Sequence, residues 1–295
     1  MTNRINNLSV VIPSYARHEE LIYAVDSVYS QKTDIDIEVI VVDDNPKDSK
    51  ISKINKDYFK KKYPKLKYIK NNRTRGIPGA RNCGIDNCNF EFVAFLDDDD
   101  WWLPGKIQKQ VDAFRSANFR PALIDTGFFL KKSEVDTNID IALPTLYVNT
   151  YRELLSKHTG RAPKMSTVIC SLSDIKKIGC FDPTMIARED LDFYLRISQL
   201  GKFLSVLEPL AVKRKSKVGR SPNLLDRTTK GFQIYFNKYY FDITKDPFIN
   251  LRFNIKYSIM LFRNRNFVLF LLNIINIGLI FISNPVSTIT GKKIQ

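Results

Sequence analysis

Four adjacent carboxylates, Asp97–Asp100, close an apolar run in FVAFLDDDDWW, residues 92–102. Such a pile of like charge costs stability unless a cation sits nearby. A short apolar run reads as a buried strand, and open α/β sheets bind ligands beyond the carboxyl ends of their strands. Hard divalent cations of the magnesium kind take one or two carboxylates together with substrate phosphates. The cluster is therefore expected to hold a metal carrying a nucleotide diphosphate. The alternative is a solvated acidic turn, which the bulky Trp101 and Trp102 argue against.

Three further stretches bear on the same chemistry. IEVIVVDDNPKD, residues 37–48, puts Asp43 and Asp44 at the end of a second apolar run. A carboxylate there can accept a hydrogen bond from a base N–H or a ribose hydroxyl, or simply form an Asx turn. In NNRTRGIPGARNCGI, residues 71–85, two glycines and a proline make a tight turn. Arg81 beyond it is an always-charged fork able to reach a base or phosphate, unless the stretch is an ordinary surface loop. In IGCFDPTMIAREDLDFYLRI, residues 178–197, Glu189 and Asp190 open an amphipathic helix. Acids there suit the helix dipole, or one of them is a general base.

The elements that must position these residues alternate in type. Leu8–Ile12, Ile37–Val42, Leu66–Ile69 and Phe92–Leu96 read as strands. Glu19–Gln31, Ile51–Tyr63 and Gly79–Cys88 read as helices between them. That order predicts an α/β fold with a mostly parallel, doubly wound sheet flanked by helices. Beyond residue 120 the pattern loosens. Ala122–Leu130 and Met165–Cys170 read as strands, Lys131–Val148 and Val212–Pro222 as loops, and Asp190–Leu200 and Phe232–Tyr240 as helices.

Phe267–Ile282 is apolar except for Asn273 and Asn276, which share a helical face with Asn266. Its 16 residues fall short of the roughly 20 that span a bilayer. With Arg252, Lys256, Arg263 and Arg265 just upstream, it fits a helix lying in a membrane interface. A buried core or dimer-interface helix, or a true span, are the alternatives.

Length and composition set the frame. The chain has 295 residues, 44% hydrophobic and 26% charged, which excludes a disordered, collagenous or coiled-coil protein. The net charge is +15, and residues 201–295 carry most of it, with 16 Lys plus Arg against 4 Asp plus Glu. A basic tail meets nucleic acid, anionic lipid or a phosphorylated ligand. No nucleic-acid motif is present, and the acidic clusters oppose that partner, so nucleic acid is not expected. Cys83, Cys88, Cys170 and Cys180 form no CxxC, and His18 and His158 are the only histidines, so neither a zinc site nor a His-based triad is expected. The N-terminal apolar run is too short for a secretory signal, which points to a reducing cytoplasm and free thiols.

VVIPSYARHEEL, VIVVDDNPKD, GIPGARNCGI, FLDDDDWWLPGKI and the GCFDPTMIAREDLDFYLRISQLGK block occur in that order. Together they resemble a family 2-type glycosyltransferase of the GT-A fold over roughly residues 8–210. The resemblance implies a domain over 1–220, with a nucleotide-binding half to about 120 and an acceptor half from 121. A basic helical, membrane-associating extension would occupy 221–295. It implies a nucleotide-sugar donor, most often a UDP-hexose, and Mn²⁺ or Mg²⁺. Pro13 and Tyr15 would line the nucleotide pocket, with Asp43 and Asp44 near the base and Arg81 near base and phosphates. Asp97 and Asp99 match the outer residues of the DXD motif and would serve the metal. Asp97 and its neighbour Asp98 would also touch the donor, and Asp98 and Asp100 could replace the outer pair, since four Asp leave the register open. Asp190 matches the usual catalytic base, with Glu189 beside it.

Two departures stand out. Asn45-Pro46-Lys47 replaces a Gly-Ser type turn, and AVKRKSKVGRS lacks the histidine that often helps hold the diphosphate. Lys213, Arg214, Lys215 and Arg220 are cations able to do that work. The expected activity is inverting transfer of a hexose, first glucose from UDP-glucose, giving a β-linkage. The expected acceptor is a polyprenyl-diphosphate-linked saccharide, first GlcNAc-diphospho-undecaprenol, in bacterial O-antigen or capsule assembly. The expected place is the inner face of the cell membrane, against anionic lipid, with a homo-oligomer as an open alternative. UDP-galactose, a dTDP- or GDP-sugar donor, or a non-catalytic basic binding protein are the alternatives.

Overall fold

The computed structural model describes residues 4–131, 140–144, 150–157, 162–214 and 224–283. Its first half follows the expected alternation. Strand β1 (Asn7–Ser14) is followed by α1 (Glu19–Tyr29), β2 (Asp36–Asp43), α2 (Lys50–Lys62), β3 (Lys67–Lys70), α3 (Ile77–Asp86) and β4 (Phe92–Phe95). These four strands lie in the order β3-β2-β1-β4, all parallel. The apolar runs of β1, β4 and the second half of β2 fit burial on both faces, whereas edge strand β3 is only half-buried. Alternate residues along β2 serve opposite cores. Ile40 and Val42 pack with Ala80 and Cys83 of α3, while Val39 and Val41 pack with Leu21 and Val25 of α1 and Phe59 of α2.

Beyond β4 the sheet turns mixed, which differs from the mostly parallel expectation. After β5 (Trp101–Trp102) and α4 (Lys106–Ser116) come β6 (Leu123–Lys131), β7 (Asp140–Ala142), α5 (Thr150–Lys157), β8 (Ile169–Ser171), α6 (Leu172–Lys177), α7 (Glu189–Ile197) and β9 (Phe203–Arg214). The order continues β4-β8-β6-β9-β5, with β7 on β6. β8 is antiparallel to β4 and β6, and β5 is antiparallel to β9, while β6 and β9 pair in parallel.

Two local expectations change. β7 lies inside the stretch read as a loop, and Met165–Thr167 is a single 3-10 turn rather than strand. β9 has no counterpart in the sequence reading, because Glu208 and Pro209 interrupt its apolar run. Pro209 sits at a register shift opposite Gly127, the kind of place where a sheet tolerates a residue with no N–H.

The C-terminal helices are α8 (Leu224–Lys238), α9 (Tyr240–Thr244), α10 (Pro247–Arg263) and α11 (Phe267–Ser283). Phe232 and Tyr235 of α8 and Ile249 and Phe253 of α10 belong to the same apolar core as Leu191 and Tyr194 of α7. Arg152 of α5 pairs with Asp246 before α10 at 2.7 Å. α11 lies against α10 through its asparagines: Asn273 Nδ2 donates to the Asn254 carbonyl at 2.7 Å and to Ser258 Oγ at 2.8 Å. Its other faces, including Leu271, Leu272 and Ile275, are exposed. Among the described residues no helix is long and apolar enough to cross a membrane. All four cysteines are free, as expected.

Candidate active site

Strand pairing assembles the site. β1 and β4 are parallel neighbours, so the chain leaves the sheet side by side at Ser14–Tyr15 and at the acidic turn. β5 pairs with β9, Trp101 opposite Val212, which draws Lys213 and Arg214 alongside Asp100.

The four aspartates then divide. Asp98 and Asp100 have side chains only 6% and 0% exposed, whereas Asp97 and Asp99 keep 27% and 18%. Asp98 accepts the Tyr15 N–H at 3.1 Å and pairs with Arg17. Burial pushes its carboxyl up to about 7, against the opposing pull of Arg17. Asp100 accepts from Ser166 Oγ at 2.6 Å and from the Arg214 N–H at 3.1 Å, and meets Lys213 at 3.3 Å. Burial raises it to about 6, again against a cation, Lys213. Asp97 meets Arg81 at 2.9 Å and Lys213 at 3.4 Å. Burial would raise its carboxyl, but Lys213 and Arg81 outweigh that and hold it at about 2. Asp99 meets Arg17 at 2.8 Å.

So Asp98 and Asp100 anchor the turn, while Asp97 and Asp99, each beside a cation, are the more open pair. Asp98, expected to touch the donor, is instead sequestered by Tyr15 and Arg17. Among the described residues no three His, Cys, Asp or Glu converge as a ready-made metal cage. Two open carboxylates are the number a magnesium-like ion uses when phosphate oxygens supply the rest. The donor set therefore fits a hard divalent cation that arrives with a diphosphate.

Arg81 departs from its expected place. It is 3% exposed and does not stand free in the cleft. A Cβ on Gly79 would lie 1.8 Å from the Thr74 carbonyl oxygen, and one on Gly84 would lie 2.3 Å from Val11 Cγ1. Glycine at 84 lets α3 press onto β1, and glycine at 79 lets the preceding loop fold back tightly on the helix; Arg81 lies between them, beneath the acidic turn. There its guanidinium lies over the Phe181 ring at 5.3 Å and joins Asp97 to Glu189, the latter at 3.3 Å. Glu189 and Asp190 begin α7, just after Arg188 in left-handed backbone at φ 66°. Burial and the charge of Asp190 raise the Glu189 carboxyl, and Arg81 opposes them. Asp190 is half-buried, and its charge partly offsets the burial that lowers the Lys164 ammonium.

The nucleotide-side candidates are placed unequally. Tyr15 is 54% exposed at the rim, with Arg75 at 5.9 Å from its ring centroid, and Pro13 is half-buried behind it. Asp44 accepts from the Gly76 N–H at 2.9 Å and from Asn71 Nδ2 at 2.7 Å, tying the end of β2 to the loop before α3. Asp43 is buried, bonded to Asn45 at 2.7 Å and paired with Lys70 at 3.1 Å, so its carboxylate is used by the scaffold. Asn45 uses its Oδ1 to accept the Ala16 N–H at 2.8 Å, which gives the unusual turn a structural part. Lys215 and Arg220 lie outside the described residues.

Sequence reasoning missed Arg17 and Ser166 and undervalued Lys213. Arg17 stands in a quoted motif, but nothing local says that it turns toward residues more than eighty positions away.

Residues 9–172 match the family described as Glycosyl transferase family 2. The Escherichia coli protein WfaP, a UDP-Glc:alpha-D-GlcNAc-diphosphoundecaprenol beta-1,3-glucosyltransferase, is 30% identical over 66% of this chain and 71% of its own length. The amylovoran biosynthesis glycosyltransferase AmsB of Erwinia amylovora is 28% identical over 70% of this chain and 68% of its own. The crystal structure of S. aureus TarS 1–349 in complex with UDP-GlcNAc shares the fold, with a TM-score of 0.52 at 15% identity, covering 78% of this chain and 67% of that one. The matched stretch carries every strand from β1 to β8, the acidic turn and the buried arginine beneath it. On these grounds the chain belongs to glycosyl transferase family 2.

Proposed function

We propose that this chain transfers glucose from UDP-glucose, with inversion, onto GlcNAc-diphospho-undecaprenol in the assembly of a bacterial surface polysaccharide. One observation carries the reading. Arg81 ties the carboxylate of Asp97 to that of Glu189, so one buried cation links the acidic turn to the start of α7, where Asp190 lies. The similarity to WfaP over two thirds of this chain supports the choice of donor and acceptor.

Asp190 accepts the proton of an acceptor hydroxyl as that oxygen bonds to the anomeric carbon. The bond from that carbon to the phosphate oxygen breaks on the opposite face, so an α-linked donor yields a β-linkage. Lys213 and Arg17 fix the carboxylates that face the diphosphate. A bound Mn²⁺ or Mg²⁺, held by Asp99 and Asp97, would neutralise the charge on departing UDP.

The same reading places the enzyme on the inner face of the cell membrane. The apolar face of α11 points away from α10, and Arg252, Arg263 and Arg265 are exposed beside it. Apolar side chains with adjacent cations match an anionic lipid interface.

The test is transfer of radiolabelled glucose to a synthetic GlcNAc-diphospho-lipid. Asp190→Asn should lower kcat by about 10²–10⁴-fold, the usual contribution of a general base, while UDP binding with Mn²⁺ persists. Full activity in Asp190→Asn, with loss in Glu189→Gln, moves the base to Glu189. No transfer from UDP-glucose by the folded wild type overturns the donor assignment.

A further inference from the structure

Lys106 and Gln110, one turn apart on α4, are wholly buried, and the proposed reaction uses neither. A lysine is rarely buried without partners, and an apolar side chain of similar length could fill the same space. What a lysine adds is donors and charge. Lys106 Nζ donates to Gln110 Oε1 at 2.7 Å and lies over the Trp102 ring at 4.2 Å. Burial lowers its ammonium to about 7, and the charge of Asp125, itself buried and accepting from Ser205 Oγ at 2.6 Å, opposes this. Charged or neutral, its Nζ has a hydrogen for Gln110 Oε1.

Both contacts of Lys106 hold the same short turn, Met165–Thr167. With Oε1 taken by Lys106, the amide hydrogens of Gln110 face carbonyls: Thr167 at 2.9 Å and Ile124 of β6 at 3.2 Å. Trp102 Nε1 donates to the Ser166 carbonyl at 2.7 Å. Two successive carbonyls of the turn are therefore held by groups that Lys106 touches. Ser166 passes the hold on to the acidic turn. Its Oγ accepts the Asp97 N–H at 3.2 Å and donates to Asp100 at 2.6 Å.

We propose that Lys106 is a positioning residue: through Gln110 and Trp102 it fixes the 165–167 turn, so that Ser166 sets Asp97 and Asp100 where a divalent cation and a diphosphate would meet them. The hold on Ser166 stands on these bonds alone; its use for metal and diphosphate rests on the donor site of the proposed function.

The test uses the full chain with Lys106→Met, Ser166→Ala and the double variant. Mn²⁺ is titrated calorimetrically into each in the presence of UDP. Each single change should weaken Mn²⁺ by about 10–100-fold, as when the partners that orient a metal ligand are lost. Because Lys106 acts through Ser166, the double variant should lose no more than Ser166→Ala alone. In the nucleotide-free protein, hydrogen exchange at the Trp102 indole N–H, followed by NMR, should quicken by about tenfold in Lys106→Met. Gln110→Met should act in the same direction in both measurements, and it decides the matter if Lys106→Met does not fold. Unchanged Mn²⁺ affinity in the folded variants, losses that add in the double variant, or indole exchange at the wild-type rate overturns the proposal. A wild type that binds no Mn²⁺ with UDP, yet shows the faster exchange in the variants, strikes the donor reading and leaves the hold on Ser166 supported.

Discussion

Replacing Arg81 by methionine removes a buried cation from between two carboxylates. The side chain keeps similar bulk against Phe181, so charge is the main thing lost. Asp97 retains Lys213 at 3.4 Å, whereas Glu189, only 15% exposed, loses the cation that the structure gives it. A stranded carboxylate escapes by binding a proton. From an ordinary value of 4.5, that costs at most about 3.4 kcal/mol at pH 7, at about 1.36 kcal/mol per pH unit, and the wild type already bears part of it because its Glu189 carboxyl is raised. With the smaller loss at Asp97, the expected destabilisation is about 3–5 kcal/mol, as for other buried pairs broken on one side. At roughly 2–4 °C per kcal/mol for a large domain, Tm should fall by about 6–20 °C.

The loss should depend on pH. In the variant the folded Glu189 carboxyl titrates above its unfolded value, so its contribution is fully present below about 4.5 and is lost as pH rises. The gap to wild type should therefore narrow toward pH 5 and widen toward pH 8 in calorimetric scans. Adding Glu189→Gln to Arg81→Met should restore about 2 kcal/mol by removing the stranded charge. A fall in Tm under about 2 °C, or one that is flat from pH 5 to 8, refutes the reasoning and leaves Arg81 as a solvated loop residue.

Asp99→Asn and Asp97→Asn should each cut transfer by about 10²-fold or more and abolish the Mn²⁺-dependent thermal shift with UDP. Asp98→Asn should keep most activity, since the amide oxygen still accepts the Tyr15 N–H; equal losses in all three variants would reject the division of the turn. Charging the outer face of α11 with Leu271→Glu and Ile275→Glu should change stability by less than about 0.5 kcal/mol yet release the protein from anionic vesicles in a flotation assay. Asn273→Leu on the inner face should instead cost about 1–3 kcal/mol in urea unfolding, because it breaks two hydrogen bonds to α10. Gly79→Ala should destabilise by about 1–3 kcal/mol or more in the same assay, since its methyl group meets the Thr74 carbonyl oxygen.

Much of this molecule was legible in the chain itself. The strands β1 to β4 and helices α1 to α3 follow from apolar period and short polar breaks, which are local properties. The placing of acids at strand ends follows from the same pattern, and the order of the motifs pointed to the family. Elements beyond residue 120 were harder to read because their partners are distant. β9 hides behind Glu208 and Pro209, and its stability comes from β6, some eighty residues earlier.

Tertiary structure alone decided how the site is wired. Four identical side chains in a row carry no local mark of which two face a ligand. That choice was made by groups arriving from elsewhere: Ser166 and Lys213 on one side, Tyr15 and Arg17 on the other. Arg81 looked like an open fork until the close approach of Gly79 and Gly84 to their neighbours put it underneath the turn. The asparagines of α11 fit a wet face by composition, yet they turn inward to α10, and the apolar faces point out. In each case a side chain's type sets what it can bond, while long-range packing sets what it meets, because burial leaves a charge or an amide no choice but to find a partner.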